Sequence, residues 1–308
     1  MVKTRFGKTD LNVSSLGFGA AEIGYLKPER KQAERVMNLL LDEGVNVIDT
    51  AATYETSEEI IGQAIMHRKA EFALISKCGQ KLAGVEGEAW SPGLIAKTID
   101  RSLSRLRVDA LDVMLLHTCD EATLRKGEAL GALVKARQAG KVKFIGYSGD
   151  NQAAAYAATL PEVAVIETSI SIADQANIDI VLPVARKYDV GVLAKRPIAN
   201  AAWKKTAEQR GFYGAYAQPY VDRLAKMNLD LGSLGFTLAP ELAWPELALR
   251  FTLSQTGVNS AIIGTTNPEN VGRNLEFARK GPLPRETVQK IRAVFRAAQS
   301  GESWPGLQ

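Results

Sequence analysis

SPGLIAKTIDRSLSRLRVDALDVMLLH, residues 91–117, carries the decision about the fold. Ser91 places a hydroxyl ahead of Pro92 at the first helical position, where the side chain can accept from an orphan amide and the proline's missing N–H is no loss. Leu94, Ile95, Ile99, Leu103 and Leu106 then recur at helical spacing, while Lys97, Arg101 and Arg105 fall elsewhere, so the helix has one apolar face. After Leu106 the pattern changes. DVMLLH (112–117) is a near-continuous apolar run, the reading of a strand covered on both faces in a parallel sheet. A helix followed by a buried strand is the unit of an α/β fold.

Outward from this stretch the unit recurs. Strand candidates are SLGFGA (15–20), NVIDTA (46–51), FALISK (72–77), DVMLLH (112–117), VKFIGYS (142–148), VAVIETSIS (163–171), GVLAKRPI (191–198) and SAIIGT (260–265), eight in all with amphipathic stretches between them. Asn267-Pro268-Glu269 repeats the capping device, and Gly44 and Gly140 close two of the helices. Eight β/α units in about 250 residues predict a closed (β/α)₈ TIM barrel, with an open doubly wound sheet as the alternative. Residues 2–14, alternating around Gly7 and Asp10, predict an N-terminal β-hairpin that plugs the barrel bottom. Residues 199–243, rich in Trp, Tyr, Phe and Gly, are too long for a bare connection and predict extra helix, in part over Glu208 to Met227. The tail from Pro284 reads as an added helix ending near Gly301-Glu302-Ser303-Trp304-Pro305. No linker or low-complexity tract interrupts residues 1–308, which read as a single barrel domain.

Composition narrows the function. Thirty-eight Lys plus Arg against 34 Asp plus Glu leave a net charge of +4, the small difference of two interspersed populations. That is no footprint for nucleic acid, although a pI near 8.9 tolerates an anionic ligand in one pocket. Cys78 and Cys119 make no disulfide framework, the N-terminus has no secretory apolar region, and no run approaches the roughly 18 apolar residues of a membrane span. No Cys/His cluster has zinc spacing, so no metal is expected. The reading is a soluble, cytoplasmic protein with a small-molecule partner.

In such barrels functional side chains lie at the C-terminal strand ends and in the loops that follow. Asp49 ends the second strand, Tyr54 lies in the loop after it, Lys77 ends the third and His117 the fourth. Each has a plainer reading: Lys77 and Asp49 as a buried structural ion pair, His117 as a satisfied core histidine. Tyr54, in a polar loop, is harder to assign to packing. The other histidine, His67 in IMHRK, reads as solvated. Cys78 and Cys119 lie within two residues of these positions, which puts a thiol near the mouth or makes both small apolar filler.

These residues resemble the aldo-keto reductase superfamily. GVNVIDTAATYETSEEIIGQAI (44–65) matches its Asp-Thr-Ala-x-x-Tyr segment, LISK (74–77) its lysine strand, RSLSRLRVDALDVMLLH (101–117) its histidine strand and IGYSG (145–149) its Gly-x-Ser segment. LNVSSLGFGA and AIIGTTNPENVGRNL complete a resemblance over nearly the whole chain. The resemblance implies catalytic Asp49, Tyr54, Lys77 and His117. Tyr54 would give a proton to the developing alkoxide, the Lys77 ammonium, held by Asp49, would lower its pKa from near 10, and His117 would orient the substrate oxygen.

It also implies a nicotinamide dinucleotide lying across the barrel mouth. Gly19, Ala21, Asp49, Ser148, Glu167, Gly264, Thr265, Thr266, Asn270 and Asn274 fall at its cofactor positions, and no complete Gly-x-Gly-x-x-Gly follows a strand. The pattern is broken in places. Gly149 replaces a common Asn, Glu167 a common Gln, and Lys195-Arg196-Pro197 the aromatic that stacks on the nicotinamide; Lys195 or Arg196 could pair with pyrophosphate instead. Gly264 and Asn270 stand where a Lys and an Arg often clamp the 2′-phosphate, and Arg273 is the substitute. The expected cofactor is NADP(H), with NAD(H) possible. Trp90, residues 199–243 and Trp304, with Tyr54 and His117, are expected to form a hydrophobic substrate pocket. The leading expectation is an NADPH-dependent reductase of aldehydes or ketones. The alternatives are a sugar or alcohol dehydrogenase running oxidatively, and a regulatory barrel with little catalysis, like the superfamily's potassium-channel β-subunits. A phosphate-binding barrel enzyme with other chemistry is a third.

Overall fold

A computed structural model describes residues 1–204 and 213–307. Strands β1 (Lys3–Arg5) and β2 (Asn12–Ser14) pair antiparallel as a hairpin. Eight further strands follow: β3 (Leu16–Gly19), β4 (Val47–Asp49), β5 (Ala73–Cys78), β6 (Leu111–His117), β7 (Val142–Ser148), β8 (Val163–Ser169), β9 (Gly191–Lys195) and β10 (Ser260–Ile263). They run parallel in chain order and close on themselves through β10 pairing with both β9 and β3. The closed barrel decides against the open sheet, and each strand falls within a residue or so of the segment expected at its start, several ending earlier.

The helix Pro92–Leu106 forms for the reasons its sequence states: Ser91 Oγ accepts from the amide of Leu94 at 3.3 Å, and Leu94, Ile95, Ile99 and Leu106 are buried. An N-cap of this kind contributes about 1 kcal/mol. Asn267 caps the helix Pro268–Arg279 in the same way, accepting from Glu269 N at 3.0 Å. The barrel interior is a packed layer of Val47, Ile75, Val113, Leu115, Val165 and Leu193, and Phe6 of the hairpin is fully buried in it. The hairpin is therefore a bottom plug. Gly7 makes this possible at φ +56°, with its Cα so close to β9 that a Cβ would stand 2.1 Å from Gly191 N.

Beyond β9 the chain leaves the repeat. A 3₁₀ turn, Ala199–Ala201, precedes the helices Tyr213–Met227 and Pro240–Leu253, and the tail forms the helix Arg285–Gln299. The expected partial helix thus begins at Tyr213; its first residues, Glu208 to Phe212, lie outside the described residues. These additions share a second apolar cluster around Tyr220, Leu224, Phe251, Phe295 and Trp304. Among the described residues no helix is long and apolar enough to cross a membrane.

Candidate active site

The C-terminal strand ends open into one cleft of about 740 Å³, lined by Gly19, Asp49, Tyr54, His117, Ser148, Glu167, Lys195, Arg196 and the turn Gly264–Asn267 among others. That is the size of a small-molecule site. Behind Tyr54 lies the feature that dominates the electrostatics. Lys77 is completely buried and donates to both Asp49 oxygens, at 2.7 and 2.6 Å, and to the Thr50 carbonyl at 3.0 Å. An ammonium has three donors. All are used, so Glu167 Oε2, 3.2 Å from Lys77 Nζ, is in ion-pair range yet has no hydrogen-bond partner among the described residues.

Two carboxylates thus face one ammonium in a dry site. Burial opposes the charge on Lys77, but Asp49 and Glu167 outweigh it and hold the ammonium above its ordinary range. Burial and the neighbouring Glu167 hold Asp49 well above the usual carboxylate range despite its lysine. Tyr54 differs from expectation. Lys77, 5.0 Å from its ring centroid, does pull its pKa down, but burial pushes it up further and Asp49 and Glu167 add to the push, so the phenol is held above its ordinary value.

His117 stands edge-on to Tyr54, ring centroids 5.9 Å apart at 83°. Its Nδ1 is 3.3 Å from Thr53 Oγ1, and Gln80 donates to its carbonyl at 3.0 Å. Burial, then Lys77, Lys195 and Arg196, drive its pKa well below the ordinary range, so the imidazole is neutral near pH 7.

Ser148 ends β7 in register with His117 on one side and Glu167 on the other. Gly149 follows because Tyr147 fills the space beside it: a Cβ would stand 2.4 Å from the Tyr147 hydroxyl, which donates to the Cys119 carbonyl at 2.5 Å. Ala21, Gly264, Thr265, Thr266 and Asn270 also line the cleft, with Asn270 Nδ2 donating to Thr265 Oγ1 at 3.3 Å. Arg273 and Asn274 are not in the lining; the Arg273 side chain is 53 % exposed, 3.9 Å from Glu269.

Lys195 and Arg196 do line the cleft, but their charges are already engaged. Lys195 Nζ is 3.5 Å from Asp150, and Arg196 stacks on Tyr216 while donating to Ser169 Oγ, Tyr220 Oη and the Leu307 carbonyl. Arg196 is in the left-handed region at φ +57°, as are Thr118, Ala199, Asn200 and Ala201. Such non-glycine backbone strain gathers at functional sites.

The expected aromatic wall is corrected. Trp90 packs its ring on Gly79, where a Cβ would stand 2.2 Å from it, and does not line the cleft. Trp304 is buried edge-on against Phe295, centroids 5.2 Å apart, under the Arg223 guanidinium. Both serve packing. The aromatic wall consists instead of Tyr25 and Tyr216 beside Tyr54 and His117; Tyr216 and Lys204 come from the expected 199–243 segment, whereas the sequence reading missed Tyr25, Glu22, Thr53 and Gln80. Thr53 and Gln80 follow strands β4 and β5 so closely that their position was a usable signal. Both cysteines are buried outside the lining, with burial pushing each thiol up, so neither is at the mouth.

Known proteins resemble this chain in sequence and in fold. Residues 15–296 match the model of the Aldo/keto reductase family. The chain is 25 % identical to L-galactose dehydrogenase of Arabidopsis thaliana, covering 97 % of this chain and 95 % of that one. It is 26 % identical to NADH-specific methylglyoxal reductase of Escherichia coli, covering 89 % and 93 %. Among solved structures, the holo form of aldo-keto reductase AKR11C1 from Bacillus halodurans superimposes with a TM-score of 0.77 at 25 % identity over 96 % of both chains. A closed eight-stranded barrel, a cleft at its C-terminal face and a family match from the first barrel strand to the last helix together make this chain a member of the aldo/keto reductase family of oxidoreductases.

Proposed function

We propose that this protein reduces aldehydes or ketones to alcohols with a nicotinamide dinucleotide, NADP(H) in preference to NAD(H), and that Tyr54 is the proton donor. The observation that carries the reading is Tyr54 and His117 standing together on the cleft wall with the Lys77–Asp49 ion pair behind the tyrosine.

The wall fits the dinucleotide. Ser148 and Glu167 are neighbours across β7 and β8, and Glu167 has an acceptor oxygen without a donor. Gly19 and Gly264 approach so closely that a Cβ on Gly264 would stand 3.0 Å from the Gly19 carbonyl, which leaves bare backbone at that edge of the cleft. Ser148 and Glu167 would hold the nicotinamide amide, and Gly19, Ala21, Thr265, Thr266 and Asn270 the remainder. A nicotinamide dinucleotide held there would supply the hydride for the new C–H bond.

The chain's own residues do the rest. Neutral His117, in the tautomer in which Nδ1 accepts from Thr53 Oγ1, would carry its proton on Nε2 and donate it as a hydrogen bond to the substrate oxygen. Tyr54 transfers its Oη proton to that oxygen as the carbonyl π bond breaks, and regains a proton from solvent. Lys77 and Asp49 hold Tyr54 in place and tune it. The NADP(H) preference rests on Arg273, whose loosely held, exposed guanidinium is free to turn toward a 2′-phosphate. Two reduced, buried thiols support the reading of a cytoplasmic enzyme.

The test is tryptophan fluorescence on titration with NADPH and NADH, followed by turnover of aromatic and aliphatic aldehydes by the wild type and Tyr54→Phe. Binding of a dinucleotide with turnover reduced about 10²–10⁴-fold in the variant is the expected result. Neither dinucleotide binding, or full turnover by Tyr54→Phe, defeats the proposal.

A further inference from the structure

Glu167 is a second buried carboxylate against a lysine whose donors are already spent. It is 2 % exposed, in register with Ser148 on the cleft wall, and its Oε2 lies 3.2 Å from Lys77 Nζ without a hydrogen bond. It therefore contributes charge to Lys77 rather than a bond. From these positions we infer that Glu167 is a positioning residue that acts through Lys77 to keep Tyr54 protonated, favouring carbonyl reduction over alcohol oxidation into the alkaline range. The inference rests on the reading of Tyr54 as the proton donor and adds to it what sets the donor's charge state.

The charge arithmetic is local. Lys77 from β5 and Asp49 from β4 alone would be a neutral pair beside Tyr54, leaving burial as the main penalty on the phenolate. Glu167 from β8 sets a second carboxylate against the same ammonium, and a like charge there adds to the push of burial on the phenol. The other groups facing Tyr54 do not restore the balance. His117 from β6 is neutral, and Tyr25, whose ring lies 5.7 Å away, is a second phenol. Lys195 at the end of β9 and Arg196 after it are engaged by Asp150 and Tyr216. Reduction needs Tyr54 as O–H and oxidation needs it as phenolate, so one negative charge acts on the two directions oppositely.

Glu167→Gln removes the charge and keeps the shape. The experiment follows kcat against pH for 4-nitrobenzaldehyde reduction and 4-nitrobenzyl alcohol oxidation, with ultraviolet titration of tyrosinate in the full chain and Tyr54→Phe as the blank. The expected result is that the alkaline fall of reduction, the alkaline rise of oxidation and the Tyr54 titration all move down by about one pH unit. Limbs and titration that stay where they are in the wild type overturn the inference. Should Glu167→Gln fail to fold, Glu167→Asp withdraws the carboxylate by one methylene: a smaller shift in the same direction supports the inference, and none overturns it. The tyrosinate titration separates the two claims, because it reads Glu167 acting on Tyr54 even if Tyr54→Phe turns over like the wild type and the proton-donor reading falls.

Discussion

Two buried carboxylates near the barrel mouth, Asp150 and Asp49, are treated oppositely by the fold. Asp150 accepts from Thr168 Oγ1 at 2.8 Å, Ser169 N at 2.7 Å and Asn177 Nδ2 at 2.9 Å on one oxygen, and from Ser169 Oγ at 3.0 Å on the other. Burial works against its charge, but Lys195 and these donors hold it below the ordinary carboxylate range. Asp49 has one lysine, shares it with Glu167, and is held above that range. A carboxylate surrounded by fixed donors locks β7, β8 and the helix Ala176–Ile180 together. One left competing for a single cation stays chemically responsive, and such under-satisfied buried clusters mark sites of function.

Removing each carboxylate tests that contrast. Asp150→Ala removes the acceptor of four hydrogen bonds and is expected to cost about 3–5 kcal/mol in urea unfolding. Its pH dependence has a definite sign. The folded pKa lies below the unfolded value, so the stability Asp150 contributes is fully present above about pH 5 and is lost as pH falls through the depressed folded pKa. The gap between wild type and variant should therefore be level toward neutrality and close in acid; a gap that widens in acid contradicts the assignment.

Asp49→Asn should behave in the opposite way. Glu167 remains as counter-ion to Lys77, so stability is expected to change by less than about 1.5 kcal/mol, while aldehyde turnover falls at least about a hundredfold. If instead stability collapses and turnover of the folded fraction survives, the two carboxylates are alike and the contrast is mistaken.

The smallest expected effect lies at the rim. Arg273→Ala should weaken NADPH relative to NADH by about tenfold in Kd, the equivalent of 1.4 kcal/mol. An unchanged ratio measured by fluorescence titration removes the basis for the NADP(H) preference, since the described lining of residues 264–270 contains no Lys or Arg.

The strands, the hairpin plug and the caps at Ser91 and Asn267 were legible because each rests on local physics: apolar runs, a left-handed glycine, a side chain within three residues of its amide. Asp49, Tyr54 and His117 were placed on the cleft by the same logic, since a parallel barrel delivers every strand end to one face. The failures share a different cause. Trp90 and Trp304 looked like pocket aromatics because composition cannot say what a ring will meet; one meets Gly79 and the other Phe295. The pull of Lys77 on Tyr54 was read with the right sign, but the net effect was not, because burial and Glu167 enter only when β4, β5 and β8 are brought together.

The sequence by itself determined the family, the order of eight buried strands and the end of the barrel at which chemistry would be found, all consequences of pattern along the chain. The tertiary structure alone decided which charges share a site. Asp49, Lys77 and Glu167 are separated by 28 and 90 residues along the chain, yet they meet within 3.2 Å. Electrostatic energy depends on that distance and on the exclusion of water, neither of which is a property of sequence position.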